Sequence, residues 1–342
     1  MRRSSSPNAL IISSAGDAHV PIVADKLMAL GVQVTRLDTN ELGTRAGITL
    51  RFGDTRSEEP RGLIKIRGQE EVAVDADAIT SVWYRRPVAP DLSSYDLSLE
   101  GRAFARDEWR AGMDGLFTLL SNALWVSHPE RIRVGENKAL QLSLARGLGF
   151  VTPETLITSD ASAALEFWDR FSGAIIAKPL GLGWVYVDSN SEQNRVRSVF
   201  TNEIDEAALR DLDNLKIAPT VFQEAIPKTY ELRVTVVGSE VLSIRIDSQK
   251  SQISCVDWRR YDLARTPYMP YRLPEELEDR CRQLVSELKL QYGAIDLIRK
   301  PDGEYVFLEI NCNGQFAWAE QLAGVPISTK LARLLAGLDP PL

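Results

Sequence analysis

The stretch 293–320, GAIDLIRKPDGEYVFLEINCNGQFAWAE, constrains the chain most, because it reads as a β-hairpin that carries oxygen ligands on one face. Two apolar runs flank Pro301-Asp302-Gly303, a turn in which Pro presets one dihedral and Gly supplies a positive one. A four-residue loop over 301–304 closes the pair Lys300/Tyr305 and sets Asp296 opposite Glu309. Opposed residues share a face, as do residues two apart along a strand, so Asp296, Glu309 and Asn311 fall on one side. Two carboxylates and an amide oxygen, with no His or Cys among them, suit a hard cation such as Mg²⁺ that also takes phosphate oxygens. Acids set among Ala294, Ile295, Leu297, Phe307, Leu308 and Ile310 are poorly solvated, and buried carboxylates need partners.

The rest of the chain has to house that hairpin. Its 342 residues, 44% hydrophobic and 25% charged, are enough for two or three domains around a sizeable core. No apolar run reaches the roughly eighteen residues that a bilayer span needs, and the start, MRRSSSPNALIISSAG, breaks into a strand-like NALIIS, so a cytoplasmic, non-membrane protein is expected. Cys255, Cys281 and Cys312 are odd in number and lack paired metal-site spacing, which leaves them as packing residues. A formal charge of −7 offers nucleic acid no general attraction, so no nucleic-acid partner is expected; Arg85-Arg86, Arg131 with Arg133, and Arg259-Arg260 remain as local basic patches.

Periodicity divides the chain. A strand at 8–12, helical spacing over 20–30 ending at Gly31, and the strand VQVTRLD open an α/β unit. ITLRF, LIKIRG and SVWYRRP continue it as strands, a helix spans 102–120, and WVSHPE at 125–130 marks the first boundary. A helix from Asn137 to a Gly stop, VTPETLIT, a helix over SAALEFWDRF, and AIIAKPLGLGWVYV follow, then a polar, poorly patterned segment over 188–219. VFQEAI, the hairpin of ELRVTVVG with EVLSIRID, a helix over 274–289 and a last helix over 328–336 complete the pattern.

The polar residues of the second half come in a telling order. Lys138 stands on the first turn of a helix; Lys178 ends an apolar strand beside Gly181 and Gly183; Gln223 and Glu224 end another strand; Glu231 and Arg233 share a strand face; the oxygen ligands come last. A triphosphate needs separated cations, a backbone that can approach it closely, a hinge offering peptide groups to a base, and a metal bridging its phosphates. His19 and His128, the two histidines, read as structural.

This order resembles the ATP-grasp superfamily over nearly the whole chain. The resemblance implies an α/β (α+β grasp) fold: an N-terminal α/β pre-grasp domain over 1–127, a linking segment and small lid subdomain over 128–226, and a C-terminal antiparallel-sheet grasp domain with the metal site over 227–342. It implies ATP and Mg²⁺ as cofactors. Lys138 and Lys178 then contact phosphates, Gln223, Glu224, Ala225 and Ile226 form the adenine hinge, and Glu231 takes the ribose hydroxyls. Arg233 takes the phosphate or acyl-phosphate, with Arg233 and Lys178 as catalytic residues, and Asp296, Glu309 and Asn311 hold Mg²⁺.

WYRRP at 83–87, VDWRRY at 256–261, YGAIDLI and EYVFLEINCNGQFAWAE look like the graspetide ligases, the microviridin-type maturases of ribosomally made peptides. Cys312 lies where Pro is common in such enzymes. The resemblance implies that ATP phosphorylates an Asp or Glu side chain of a precursor peptide, which Ser, Thr or Lys then attacks to give an ω-ester or ω-amide. It also implies a precursor with a helical leader, and a homodimer. Arg85, Arg86, Arg259 and Arg260, with Asp257 orienting an arginine, are the candidates for the positive patch that an acidic substrate needs. Trp258, Tyr261, Tyr268 and Tyr271 are candidates for a leader groove, with core packing as the alternative for most of them. Two other readings stay open: a ligase joining an amino acid to a small acid or a protein C-terminus, and a non-catalytic nucleotide-binding protein.

Overall fold

Asn8–Ser13 is buried along its whole length, as a strand covered on both faces must be, and lies inside a four-stranded parallel sheet ordered Gln33–Asp38, Asn8–Ser13, Ser81–Tyr84, Leu124–Val126. Helix His19–Ala29 makes the first crossover and turns His19, Val20, Val23 and Leu27 inward. A three-stranded antiparallel sheet, Ala46–Arg51, Arg61–Arg67 and Glu71–Asp75, and the long helix Leu99–Leu119 complete this N-terminal unit. The computed structural model describes residues 7–53, 61–67, 71–181, 184–187, 195–260 and 262–342; of the glycine loop after Lys178, Gly183 lies outside the described residues, as does Tyr261.

Helices Pro129–Gly135 and Lys138–Gly147 lead into a four-stranded antiparallel sheet ordered Asn202–Glu203, Ile175–Lys178, Thr220–Glu224, Thr155–Thr158, backed by helix Ala161–Arg170. The segment expected to be poorly patterned contains, within its described residues, strands and a ten-residue 3₁₀ helix, Ala208–Ile217. Leu209, Leu212 and Leu215 repeat every three residues, the 3₁₀ period, and Leu212 and Leu215 pack on Phe167, Ile175 and Phe222.

The C-terminal unit is a five-stranded antiparallel sheet ordered Tyr268–Tyr271, Glu240–Ile246, Tyr230–Val237, Tyr292–Arg299, Tyr305–Asn311. Helix Glu275–Glu287 buries Leu277, Cys281, Leu284 and Val285 under one face of this sheet. Helix Ile327–Leu335 returns to His19–Ala29, so one core joins Val20, Val23 and Leu27 to Ile244, Phe316 and Leu331 across the two ends of the chain.

Asp296 pairs with Glu309 and Ala294 with Asn311, but the hairpin closes on Arg299/Tyr305, not on Lys300/Tyr305. The register shifts between Asp296 and Leu297, where a β-bulge leaves Leu308 as the extra residue. The bulge makes up the difference of one residue. The loop therefore holds five residues, 300–304, with Lys300 N donating to Glu304 O at 2.9 Å.

All three cysteines are free, and Cys281 and Cys312 are buried with thiols that burial pushes up to about 12. Native protein treated with iodoacetamide near pH 8 is expected to take one adduct, at Cys255, and three after denaturation, counted by intact mass.

Candidate active site

Tyr230–Val237 and Tyr292–Arg299 are the central strands of the C-terminal sheet, and both are almost wholly buried. Their charged residues are consequently paired. Arg233 lies opposite Asp296 and its Nη1 donates to both carboxylate oxygens, at 3.0 and 2.9 Å. Burial pushes the Asp296 carboxyl above the usual carboxylate range, against the opposing pull of Arg233. Two residues along the strand from Arg233, Glu231 accepts from Lys228 Nζ at 2.7 Å and from Ser248 Oγ at 2.8 Å, and burial raises it as well.

Glu309 has three cations around it. Lys138 Nζ lies 2.7 Å away, Arg259 Nη1 3.6 Å and Lys178 Nζ 3.8 Å. Burial alone would raise the Glu309 carboxyl; these three charges outweigh it and hold the group well below the usual range. Burial pulls Lys178 down to about 8, although Glu309 pulls it back up. Each cation comes from a separate element. Lys138 opens a helix whose N-cap Asn137 accepts from Leu140 N at 3.0 Å, Lys178 ends a strand of the second sheet, and Arg259 sits in the 258–260 turn.

A cleft of about 290 Å³ opens above these groups, lined by Lys178, Gln223, Glu224, Ala225, Ile226, Glu231, Asp257, Arg259, Asp296 and Glu309. A second cavity of about 140 Å³ shares Lys178, Arg259 and Glu309 with it and adds Lys138, Glu136 and Asn311. The structure thus brings Lys138, Lys178, the 223–226 segment, Glu231, Asp296, Glu309 and Asn311 to one place; Arg233 underlies it through Asp296. Gln223 gives its Nε2 to Thr155 Oγ1 at 2.9 Å, while its buried Oε1 has no hydrogen-bond partner among the described residues. The Ala225 N–H donates to Ala174 O at 2.9 Å.

The donor set tests whether Mg²⁺ fits. Asp296, Glu309 and Asn311 present only hard oxygens, and among the described residues no cluster of three or more His, Cys, Asp or Glu forms a metal cage. Two acids and an amide leave coordination positions for phosphate oxygens, so the residues fit Mg²⁺ carried by a nucleotide. Their cationic partners are the groups that phosphates would draw away.

Arg85 and Arg86 are less open to solvent than a surface patch requires, whereas Arg260 is exposed. Arg85 is 1% exposed and bound within the protein, so it is no surface patch for an acidic peptide. Arg86 is half-buried, with Nε donating to Asn313 O at 3.3 Å. Arg260 ties the C-terminal unit to the second sheet, donating to Thr201 O at 2.9 Å and Asn202 Oδ1 at 2.8 Å. Asp257 does orient an arginine: it binds Arg259 Nη2 at 2.7 Å and Nε at 2.9 Å. Trp258 packs on Trp318, as does Tyr268, and Trp258 is buried.

Sequence reading missed two supports of the site. Gln141, buried on its helix, takes Ile310 as a neighbouring strand would, donating to its carbonyl at 2.9 Å and accepting from its N–H at 3.1 Å. Its only signal is a polar residue on a helix face that is otherwise apolar. Gly314 sits where an added Cβ would meet Arg233 Nη2 at 2.5 Å and Ala294 Cβ at 2.6 Å. Gly314→Ala is expected to lower turnover about 100-fold by displacing Arg233, with nucleotide affinity retained in a calorimetric titration.

The comparisons agree with this geometry. The family model described as MvdD pre-ATP grasp domain matches residues 8–133. Macrocyclase MdnC bound with precursor peptide MdnA, from Microcystis aeruginosa MRC, is 30% identical, with 96% of this chain and 99% of that chain covered and a TM-score of 0.82. A Chryseobacterium gregarium RiPP-associated ATP-grasp ligase, in complex with ADP and a leader and core peptide, is 28% identical, with 98% of each chain covered and a TM-score of 0.87. Beta-citrylglutamate synthase B of Danio rerio is 28% identical over 222 residues, 63% of this chain and 51% of that protein. The chain spans 51% to 59% of the length of the curated relatives it matches. No helix among the described residues is long and apolar enough to cross a membrane. With a 30% identical relative covered over 99% of its length and the fold shared over 96% of this chain, the chain belongs to the ATP-grasp ligases, in the family that contains macrocyclase MdnC.

Proposed function

We propose that this protein is an ATP- and Mg²⁺-dependent macrocyclase that joins Asp or Glu side chains of a ribosomal precursor peptide to Ser or Thr hydroxyls, or to Lys amines, within the same peptide. The observation that carries the reading is the floor of the cleft, where Asp296 and Glu309 are held by Arg233, Lys138, Lys178 and Arg259. Phosphate oxygens take over the lysines; Asp296, Glu309 and Asn311 would hold Mg²⁺, which when bound would neutralise the phosphates and polarise the transferred group.

A substrate carboxylate oxygen attacks the γ-phosphorus, forming a C–O–P linkage while the bond to the β-phosphate oxygen breaks and ADP leaves. A hydroxyl or amine of the peptide then attacks the acyl carbon; the C–O bond to phosphate breaks and phosphate departs, the nucleophile's proton passing to the released phosphate or to solvent. Lys138 and Lys178 hold charge on the phosphates. Arg233 and Arg259 stabilise the oxyanion of acyl transfer. We assign Gln223, Glu224, Ala225 and Ile226 to the adenine and Glu231, once released from Lys228, to the ribose. A precursor with a helical leader, and a homodimer, complete the proposal on the family's precedent.

The likeness to beta-citrylglutamate synthase B favours a second reading, a ligase for a small free acceptor. Purified protein is incubated with ATP, Mg²⁺ and short Thr- and Glu-rich peptides encoded beside its gene, and products are read by intact mass. Loss of one water, about 18 Da, per ring is the expected result. A mass gain equal to an added amino acid selects the second reading, and nucleotide binding without turnover of either kind of acceptor would leave a binding protein.

A further inference from the structure

Asp17, His19 and Arg85 form a buried polar group at the carboxyl end of the parallel sheet, far in sequence from the site. Asp17 Oδ2 accepts from Arg85 Nε at 3.1 Å, and Asp17 Oδ1 accepts from His19 Nδ1 at 2.9 Å. That tautomer leaves His19 Nε2 to accept from Phe316 N at 3.3 Å. Burial pushes the Asp17 carboxyl up, but His19 and Arg85 outweigh it and hold the group well below the usual range. The ion pair is thus charged, and Arg85 has a fixed anchor.

The other edge of the guanidinium grips a turn. Arg85 Nη1 donates to Asn313 O and Gly314 O, both at 2.9 Å. Tyr292 adds its hydroxyl to the same Gly314 carbonyl at 2.9 Å, and Arg86, held at a φ of 44°, reaches Asn313 O as well. Consecutive strand residues point to opposite sides, so two successive arginines reach one carbonyl only because the backbone leaves the extended region at Arg86. The gripped turn is part of the site: Asn313 N donates to Asn311 Oδ1 at 3.1 Å, and Gly314 lies so close to Arg233 that a Cβ would stand 2.5 Å from Nη2.

We infer that Arg85, anchored by Asp17, is a positioning residue through which the N-terminal unit sets Arg233 and Asn311, by holding the 313–316 turn. The inference rests on the ligase reading above and adds a residue to it. A turn with three donors on two carbonyls has little freedom, and a displacement of about 1 Å at a reacting centre costs about 100-fold in rate.

Arg85→Lys keeps a positive charge beside Asp17 but cannot span the ion pair and both carbonyls. Hydrogen-exchange mass spectrometry of the full chain without substrate is expected to show faster exchange confined to 311–320; unchanged exchange there overturns the inference whatever reaction the protein performs. With peptide, ATP and Mg²⁺, kcat is expected to fall about 100-fold while the KM for ATP stays within about twofold. Altered exchange with wild-type kcat overturns positioning, since the grip is then merely structural. Should Arg85→Lys fail to fold, Tyr292→Phe removes one donor from the Gly314 carbonyl without unpairing a charge; the same two readouts are expected to move in the same direction, and wild-type values for both overturn the inference. A wild-type protein that closes no rings refutes the ligase reading alone, because the exchange experiment judges the grip independently.

Discussion

Glu309→Gln is expected to lower turnover by about 100- to 1,000-fold, the range seen when one strong electrostatic contributor to a phosphoryl- or acyl-transfer site is lost. The substitution keeps the shape of the side chain and removes its charge, so Lys138, Lys178 and Arg259 lose the anion they share. A position at the rim would make the change silent for stability. Glu309 is instead 19% exposed with three cations against it, and breaking a buried pair costs about 3–5 kcal/mol. The variant should therefore unfold at lower urea concentration, and millimolar nucleotide should restore part of the loss, because phosphates supply the missing negative charge. Full activity with Mg²⁺ limiting would remove Glu309 from the metal site. The same reasoning applies to Asp296→Asn, whose partner Arg233 would be left buried and unpaired.

Arg85→Met is expected to destabilise the protein by about 3–5 kcal/mol at pH 7, read as a shift of the urea midpoint, because it takes the cationic partner from the Asp17 carboxylate and one donor from each of two turn carbonyls inside the protein. Asp17→Asn should have a similar effect by stranding the guanidinium. The pH dependence has a definite sign. The Asp17 carboxyl is depressed on folding, so its contribution is fully present above its ordinary value of 3.8 and is lost as pH falls below that toward the folded value. Below pH 3.8 the wild type should lose stability more steeply than Asp17→Asn, and the gap between them should narrow. Parallel curves would show that the ion pair does not matter to folding.

The hairpin was legible because its information is local. A Pro-Asp-Gly turn between two apolar runs points to paired strands, and Asp296 does stand opposite Glu309. The closing pair was wrong by one residue and the pairing of Asp296 with Glu309 still held, since the bulge at Leu308 compensates for the longer loop. Lys138, Lys178, Gln223 and Glu231 were legible as an order of motifs, each at an element end or strand face that periodicity could place. Arg85-Arg86 was misread because composition cannot tell a solvated guanidinium from a buried one. Arg85 is enclosed only because the turn after strand Tyr305–Asn311 arrives from 228 residues away.

Local periodicity and turn chemistry therefore determined most of the strands and helices and the set of oxygen and cationic groups from the sequence by itself. Tertiary structure alone decided which charge meets which. Lys138 finds Glu309 across 171 residues and Arg233 finds Asp296 across 63, and each pair gains its weight from the water that the surrounding chain excludes. Side-chain periods repeat over two to four residues, whereas burial is a property of what packs on top, and a charge's partner is settled only when both are brought out of water together.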